Sequence, residues 1–197
     1  MCGANSGTRA TVAAGPRVSL RRLNEADAPV TAELLSESAD FHRAWVTYPT
    51  ERGQVTDVLA NAASYGIEIF GVERRGDGVL VGITNLCRFT GEPWLTAECG
   101  GAVGVRYQGN GYIAEAMRLL ARLAVSGLGL HRVEALVQPG NARSGRMLRA
   151  AGFRAEGTAR GAIRISGEWL DHVRYAITAE DLSVPEVTSH GAGEGVI

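Results

Sequence analysis

The stretch VRYQGNGYIAEAM, residues 105–117, decides how this chain is read, because an apolar strand runs through Arg106 and a glycine pair straight into a helix. Gly109 and Gly111 carry no Cβ, so the backbone there reaches conformations closed to other residues and approaches a ligand closely. The amides of residues 108–113 then point outward from the amino end of a helix, where unpaired N–H groups and the helix dipole favour an anion. That is the chemistry of a pyrophosphate cradle, with a bare structural turn as the alternative. Two nucleotide patterns compete for the glycines. Gly109, Gly111 and Ala114 fit G-x-G-x-x-A spacing, but a dinucleotide fold needs its strand to end at the first glycine and an acidic residue to end the next strand. Here Arg106, Tyr107 and Gln108 intervene, and Glu134 comes early in the following strand. A P-loop needs a lysine on the phosphates, and all 20 basic residues of this chain are arginine; the same absence excludes Schiff-base chemistry.

Composition narrows the classes further. With 197 residues, 45% of them hydrophobic, the chain can bury the core of one domain. A formal net charge of -1 gives no electrostatic reason to expect nucleic acid or an anionic membrane as partner. Cys2, Cys87 and Cys99 are odd in number and widely spaced, and His42, His131, His172 and His190 form no cluster with them. Neither a disulfide framework nor a metal site is expected. The first fifteen residues lack the basic start and apolar core of a secretory signal, and no run reaches membrane-spanning length, so a cytoplasmic protein is expected.

Outward from the cradle, residues 1–15 and 183–197 are rich in Gly, Ser, Thr and other small residues and are expected to be mobile tails around one domain, 16–182. Within it RVSLRRL reads as a strand, Asn24 caps a helix to Glu37, and Thr50 opens a second helix to Ala63. IEIFGVERR and VLVGITNLCRF form a hairpin about Gly76, Asp77 and Gly78, and ECGGAVGV leads into the cradle. After the helix 111–127, RVEALVQ is a strand, Asn141 caps a helix that ends at Gly152, and two strands flank Ser166, Gly167 and Glu168. The order β, α, α, β, β, β, α, β, α, β, β predicts an α/β fold with a mixed, mostly antiparallel sheet flanked by helices.

Those elements, with R-x-x-G-x-G at 106–111 and NARSGRMLRAAGF at 141–153, closely resemble the GNAT superfamily of N-acetyltransferases, and within it the RimJ/RimL type that acetylates ribosomal-protein amino termini. GITNL, AECGGAV, LHRVEALVQPGNARS, GFRAEG and ISGEWLDHVRYAIT, in this order over residues 17–182, add to the resemblance. It implies the GNAT fold, in which the central strand pair splays apart, with acetyl-CoA as cosubstrate and no metal. The pyrophosphate is expected on Arg106, Gln108, Gly109, Asn110, Gly111, Tyr112 and Ile113. The pantetheine arm falls to Val103, Val105 and Asn141, although Asn141 as a plain helix cap is the alternative.

The reaction so implied is direct attack of an uncharged amine on the thioester, with strand amides polarising its carbonyl. Leu148 stands where many members place a proton-donating tyrosine. Ser144, one turn earlier on the same face, matches the serine that serves RimL-type enzymes as proton donor or thiolate partner; otherwise it is an ordinary polar residue of a first helical turn. Glu98 occupies the region where other members hold a carboxylate that deprotonates the amine through water, and a solvated strand-end residue is its alternative. Ile163 replaces the carboxylate proposed for RimL-type enzymes. Trp45, in the loop FHRAW, and Trp169, in the final hairpin, would frame the acceptor or else pack on the sheet edge. The acceptor implied is a protein α-amine; the alternatives are a small-molecule or antibiotic amine and a noncatalytic acyl-CoA binding module.

Overall fold

The computed structural model describes residues 10–183. Its strands are β1 (Thr11–Ala14), β2 (Val18–Arg22), β3 (Glu68–Arg74), β4 (Leu80–Thr90), β5 (Thr96–Val103), β6 (Arg132–Val137), β7 (Arg154–Ile165) and β8 (Glu168–Thr178). They form one sheet in the order β1-β2-β3-β4-β5-β6-β8-β7. Neighbours are antiparallel except β5 and β6, which run parallel and pair only over Thr96–Glu98 and Arg132–Glu134. Beyond Glu98 the two strands part, leaving an open edge on β5 that leads toward the glycine turn.

The helices are α1 (Ala28–Glu37), α2 (Ala39–His42), α3 (Arg52–Asn61), α4 (Tyr112–Arg122), α5 (Ala142–Ala150) and α6 (Ala179–Ser183). Apolar residues at helical spacing bury one face of α4: Ile113, Ala116, Met117 and Leu120 join Val18, Phe70, Val72 and Val81 of the sheet in the main core. A second, smaller core lies under α1 and α3, where Leu34, Leu35, Val55 and Leu59 meet Leu80 and Ala102. Two cores therefore grip β5 from opposite faces, which fixes the strand on which the cleft depends.

Three parts of the sequence reading change. Thr11–Ala14 is not tail but an edge strand paired with β2, because alternate small and β-branched residues suffice for a ladder when a partner is three residues away. The rest of the two expected tails lies outside the described residues. The helix expected from Asn24 begins as a 3₁₀ turn, Glu25–Asp27: the Asn24 side chain accepts from the Ala26 amide (2.9 Å), and Asp27 accepts from the Asn24 amide (3.0 Å). The π-type turn Leu123–Gly127 ends the helix that follows the cradle.

Asp27, fully buried, also holds Arg21, itself 3% exposed, at 2.8 and 3.1 Å. Removing one partner of a buried pair leaves the other charge desolvated. Asp27→Ala is therefore expected to destabilise the fold by about 3–5 kcal/mol, read by chemical denaturation. A loss below about 1 kcal/mol would mean that Glu73, also bonded to Arg21, suffices alone.

Candidate active site

At the cradle Gly109 and Gly111 adopt left-handed conformations, φ +79° and +75°, which glycine alone enters without cost. Arg17, just before β2, donates to the carbonyls of Asn110 (2.9 Å) and Gly111 (3.5 Å). Because a trans peptide sets its N–H opposite its C=O, holding those carbonyls turns the amides of Gly111 and Tyr112 the other way, out from the amino end of α4. Sequence reasoning had no signal for Arg17, which lies more than ninety residues away in the chain.

From this cradle a cavity of about 390 Å³ runs beneath α5 toward the loop after α2. Gln108, Gly109, Gly111, Tyr112 and Ile113 of the cradle line it together with Val103, Asn141, Ser144 and Trp45. The structure thus brings these expected site residues to one space. Asn141 caps α5, its Oδ1 accepting from the Ser144 amide at 3.1 Å, and the residue also lines the cavity. Leu148, one turn beyond Ser144, is 1% exposed and belongs to the core.

Other expected residues are placed elsewhere. Glu98 points to the opposite face of β5 from buried Ala97 and Cys99, within 3.3 Å of Arg88, and does not line the cavity. Val105 donates its amide to Ser38 Oγ (2.9 Å) and Arg106 pairs with Glu37, so both face α1. The Asn110 side chain folds back onto the carbonyls of Tyr107 (3.2 Å) and Gln108 (3.3 Å). Trp169 is 67% exposed on a hairpin that runs past the end of β6 and contributes nothing to the cavity wall.

Two side chains not singled out for the site reach the open edge of β5. The Tyr48 hydroxyl donates to the Gly101 carbonyl at 3.1 Å, and His42 Nε2 lies 2.9 Å from the Val103 carbonyl, so that nitrogen carries the hydrogen. Residues alternate along a strand: the Gly104 amide and Gly100 carbonyl turn toward β4, where they meet the Val81 carbonyl and Thr84 Oγ1, while Gly101 and Val103 face the cleft. Burial pushes the Tyr48 hydroxyl up to about 12, so the phenol stays protonated at neutral pH. Its ring meets the His42 ring edge-on at 5.6 Å. The same loop is tied to the far strand, as Gln138 donates to the Trp45 carbonyl at 3.0 Å. Loop 43–48 therefore spans the gap between β5 and β6.

Arg143 and Arg146 of α5 complete the wall, Arg143 lying 4.5 Å over the Phe41 ring. Among the described residues, no carboxylate lines the cavity. Among them, too, no group of three or more His, Cys, Asp or Glu is placed to hold a metal ion, and no helix is long and apolar enough to cross a membrane.

A parallel pair that parts beside a glycine turn at a helix amino end is the arrangement expected from the resemblance, and comparison with known proteins agrees. The model of the acetyltransferase (GNAT) domain matches residues 17–154. The chain belongs to the GNAT acetyltransferase family. It is 32% identical over 175 residues to the probable N-acetyltransferase YjcK of Bacillus subtilis, covering 85% of this chain and 97% of that one. The ribosomal protein uS5-alanine N-acetyltransferase of Escherichia coli is 26% identical over 176 residues, 84% of this chain and 89% of its own. Among solved structures, Mycobacterium smegmatis RimJ in complex with CoA-disulfide superposes with a TM-score of 0.73 at 25% identity, over 86% of this chain and 88% of that chain. As a GNAT N-acetyltransferase the chain is a transferase, of RimJ/RimL-like kind.

Proposed function

We propose that this GNAT enzyme transfers an acetyl group from acetyl-CoA to the α-amine of a protein amino terminus, a ribosomal protein being the leading kind of acceptor. The observation that carries this reading is the cavity itself, which opens from an anion cradle, is walled by aromatic rings and arginines, and among the described residues has no carboxylate. The amides at 108–113 would take the pyrophosphate, and the cleft-facing edge at Gly101 and Val103 the pantetheine arm. A polyamine or amino sugar brings several positive charges, and each would meet Arg143 or Arg146 unscreened by an acid. At about 4 Å such a pair costs about 1–4 kcal/mol between bulk water and a protein surface. A peptide amino terminus brings one charge, which it loses before reacting. The E. coli relative acting on uS5 alanine supports the same class of acceptor.

Free-thiol release from acetyl-CoA, measured across amino-terminal peptides, blocked lysine peptides, spermidine and an amino sugar, tests the reading. Fastest release with free α-amine peptides is expected; fastest release with the amino sugar would replace it with the metabolite reading. Ser144 stands on the cavity wall as a partner for the departing sulfur. Ser144→Ala is expected to lower turnover about tenfold with little change in CoA affinity, as befits a group that acts when charge develops on sulfur. Parent turnover in that variant would remove Ser144 from the chemistry.

A further inference from the structure

We infer that Glu115, acting through Arg17, is a positioning residue that fixes the cradle amides, so that affinity for the CoA pyrophosphate is set from outside the cleft. The inference rests on the reading of residues 108–113 as the pyrophosphate site of acetyl-CoA. Neither Glu115 nor Arg17 lines the cavity.

Glu115 stands in the first turn of α4, its side chain 13% exposed. Its Oε1 accepts from the amides of Arg17 (2.8 Å) and Val18 (3.0 Å), and its Oε2 accepts from Arg17 Nε (2.8 Å). Gly15 leaves room for this: a Cβ there would lie 2.6 Å from Oε1. The carboxylate thus fixes both the backbone and the guanidinium of Arg17. With Nε held, the fork's Nη1 and Nη2 reach the carbonyls of Asn110 and Gly111, the latter also taking the Glu115 amide at 3.1 Å. An arginine 54% exposed would otherwise spread over many rotamers and leave those carbonyls loosely held. The latch from β2 to α4 is therefore set before any ligand arrives.

A carboxylate in a first helical turn also favours the helix dipole, and that alone would account for an acid here. The two roles differ in sign. As a dipole partner only, Glu115 repels an anion at the same helix end, and removing its charge would tighten CoA. As the anchor of Arg17, its removal loosens the cradle and weakens CoA. Arg17 divides in the same way. If it serves by charge, lysine replaces it; if it serves by orientation, lysine fails, because a point-like ammonium cannot span a carboxylate and two carbonyls as a planar fork does.

Calorimetry with CoA on the parent, Glu115→Gln, Arg17→Gln, Arg17→Lys and the Glu115→Gln/Arg17→Gln double variant tests this. Glu115→Gln is expected to weaken CoA about tenfold and Arg17→Gln about 10- to 100-fold, the worth of one charge-assisted bond to the cradle. Arg17→Lys should lose as much as Arg17→Gln within about threefold. The double variant should be no weaker than Arg17→Gln alone, since Glu115 acts through Arg17. With the fastest amine of the panel, the acetyl-CoA KM should rise by the same factors and kcat should change less than about threefold. The ratio of kcat/KM for acetyl-CoA to that for S-acetylpantetheine, which lacks the pyrophosphate, should fall in step. That ratio is taken on one preparation, so a fraction that fails to fold cancels. The inference is overturned if Glu115→Gln binds CoA as tightly as the parent or more so, if Arg17→Lys keeps parent affinity, if the two losses add in the double variant, or if the ratio holds. Absence of CoA binding by the parent would overturn the acetyl-CoA reading together with the inference. If the parent binds CoA and acetylates no α-amine, only the acceptor reading fails, and calorimetry still decides on Glu115.

Discussion

Gly109→Val is expected to weaken CoA binding by more than about a hundredfold while the chain stays folded. The residue sits at φ +79°, and a β-branched side chain there costs about 1–2 kcal/mol or forces the turn to another conformation. Nothing lies within 4 Å of an added Cβ, so the protein itself does not object to the side chain. The added side chain would instead stand in the space in front of the outward amides, where the phosphates are proposed to sit. Two charge-assisted bonds to outward amides, at about 1.5–3 kcal/mol each, would be lost, which is two to four orders of magnitude in affinity. Gly78→Val supplies the control. It too has a positive φ, +72°, and nothing within 4 Å, but it lies in the β3–β4 hairpin. Both variants should lose similar thermal stability, and only Gly109→Val should lose CoA in calorimetry. Parent affinity in Gly109→Val would mean that the amides at 108–113 do not hold the pyrophosphate.

The cradle was legible in the sequence because its cause is local. Two glycines one residue apart at a helix start demand a special backbone wherever they occur, and Asn141 three residues before Ser144 is a helix cap by spacing alone. The sheet was legible for the same reason, through period-two burial in β5 and β6. What escaped depends on contacts distant in sequence. Tyr48 reaches Gly101 across 53 positions and His42 reaches Val103 across 61, from a loop whose residues VTYP carry no periodicity to say which way they face. Glu98 shows the reverse case. Strand alternation put it on the face opposite Ala97 and Cys99, but which of the two faces the cleft opens toward is set by where loop 43–48 crosses and by α5, neither visible in the strand itself. The place of Trp169 in the final hairpin points to the acceptor end, but the hairpin outruns β6 by several residues, and Trp169 is not part of the cavity wall.

Near pH 7 free α-amine peptides are expected to react about two orders of magnitude faster than peptides blocked at the α-amine and offering lysine. Only the neutral amine attacks. With pKa values of about 8 and 10.4, about a tenth of an α-amine is neutral at pH 7 against under a thousandth of a lysine. A cavity with a strong base beside the nucleophile would erase that difference, and among the described residues this one has no carboxylate in its wall, Glu98 being paired with Arg88 outside it. Above pH 8 the α-amine is already mostly neutral and its rate should level off, whereas the lysine rate should rise about tenfold per unit until about pH 10.4, so the two converge in alkali. A rate profile over pH 6.5–10.5 with both peptides measures this directly. If the lysine peptide keeps pace at pH 7, proton removal is being done by the protein, and the groups left to do it are the free nitrogen of His42 and a Glu98 released from Arg88; His42→Gln and Glu98→Gln in the lysine assay would then tell which, because only loss of the working base restores the gap set by the amines themselves.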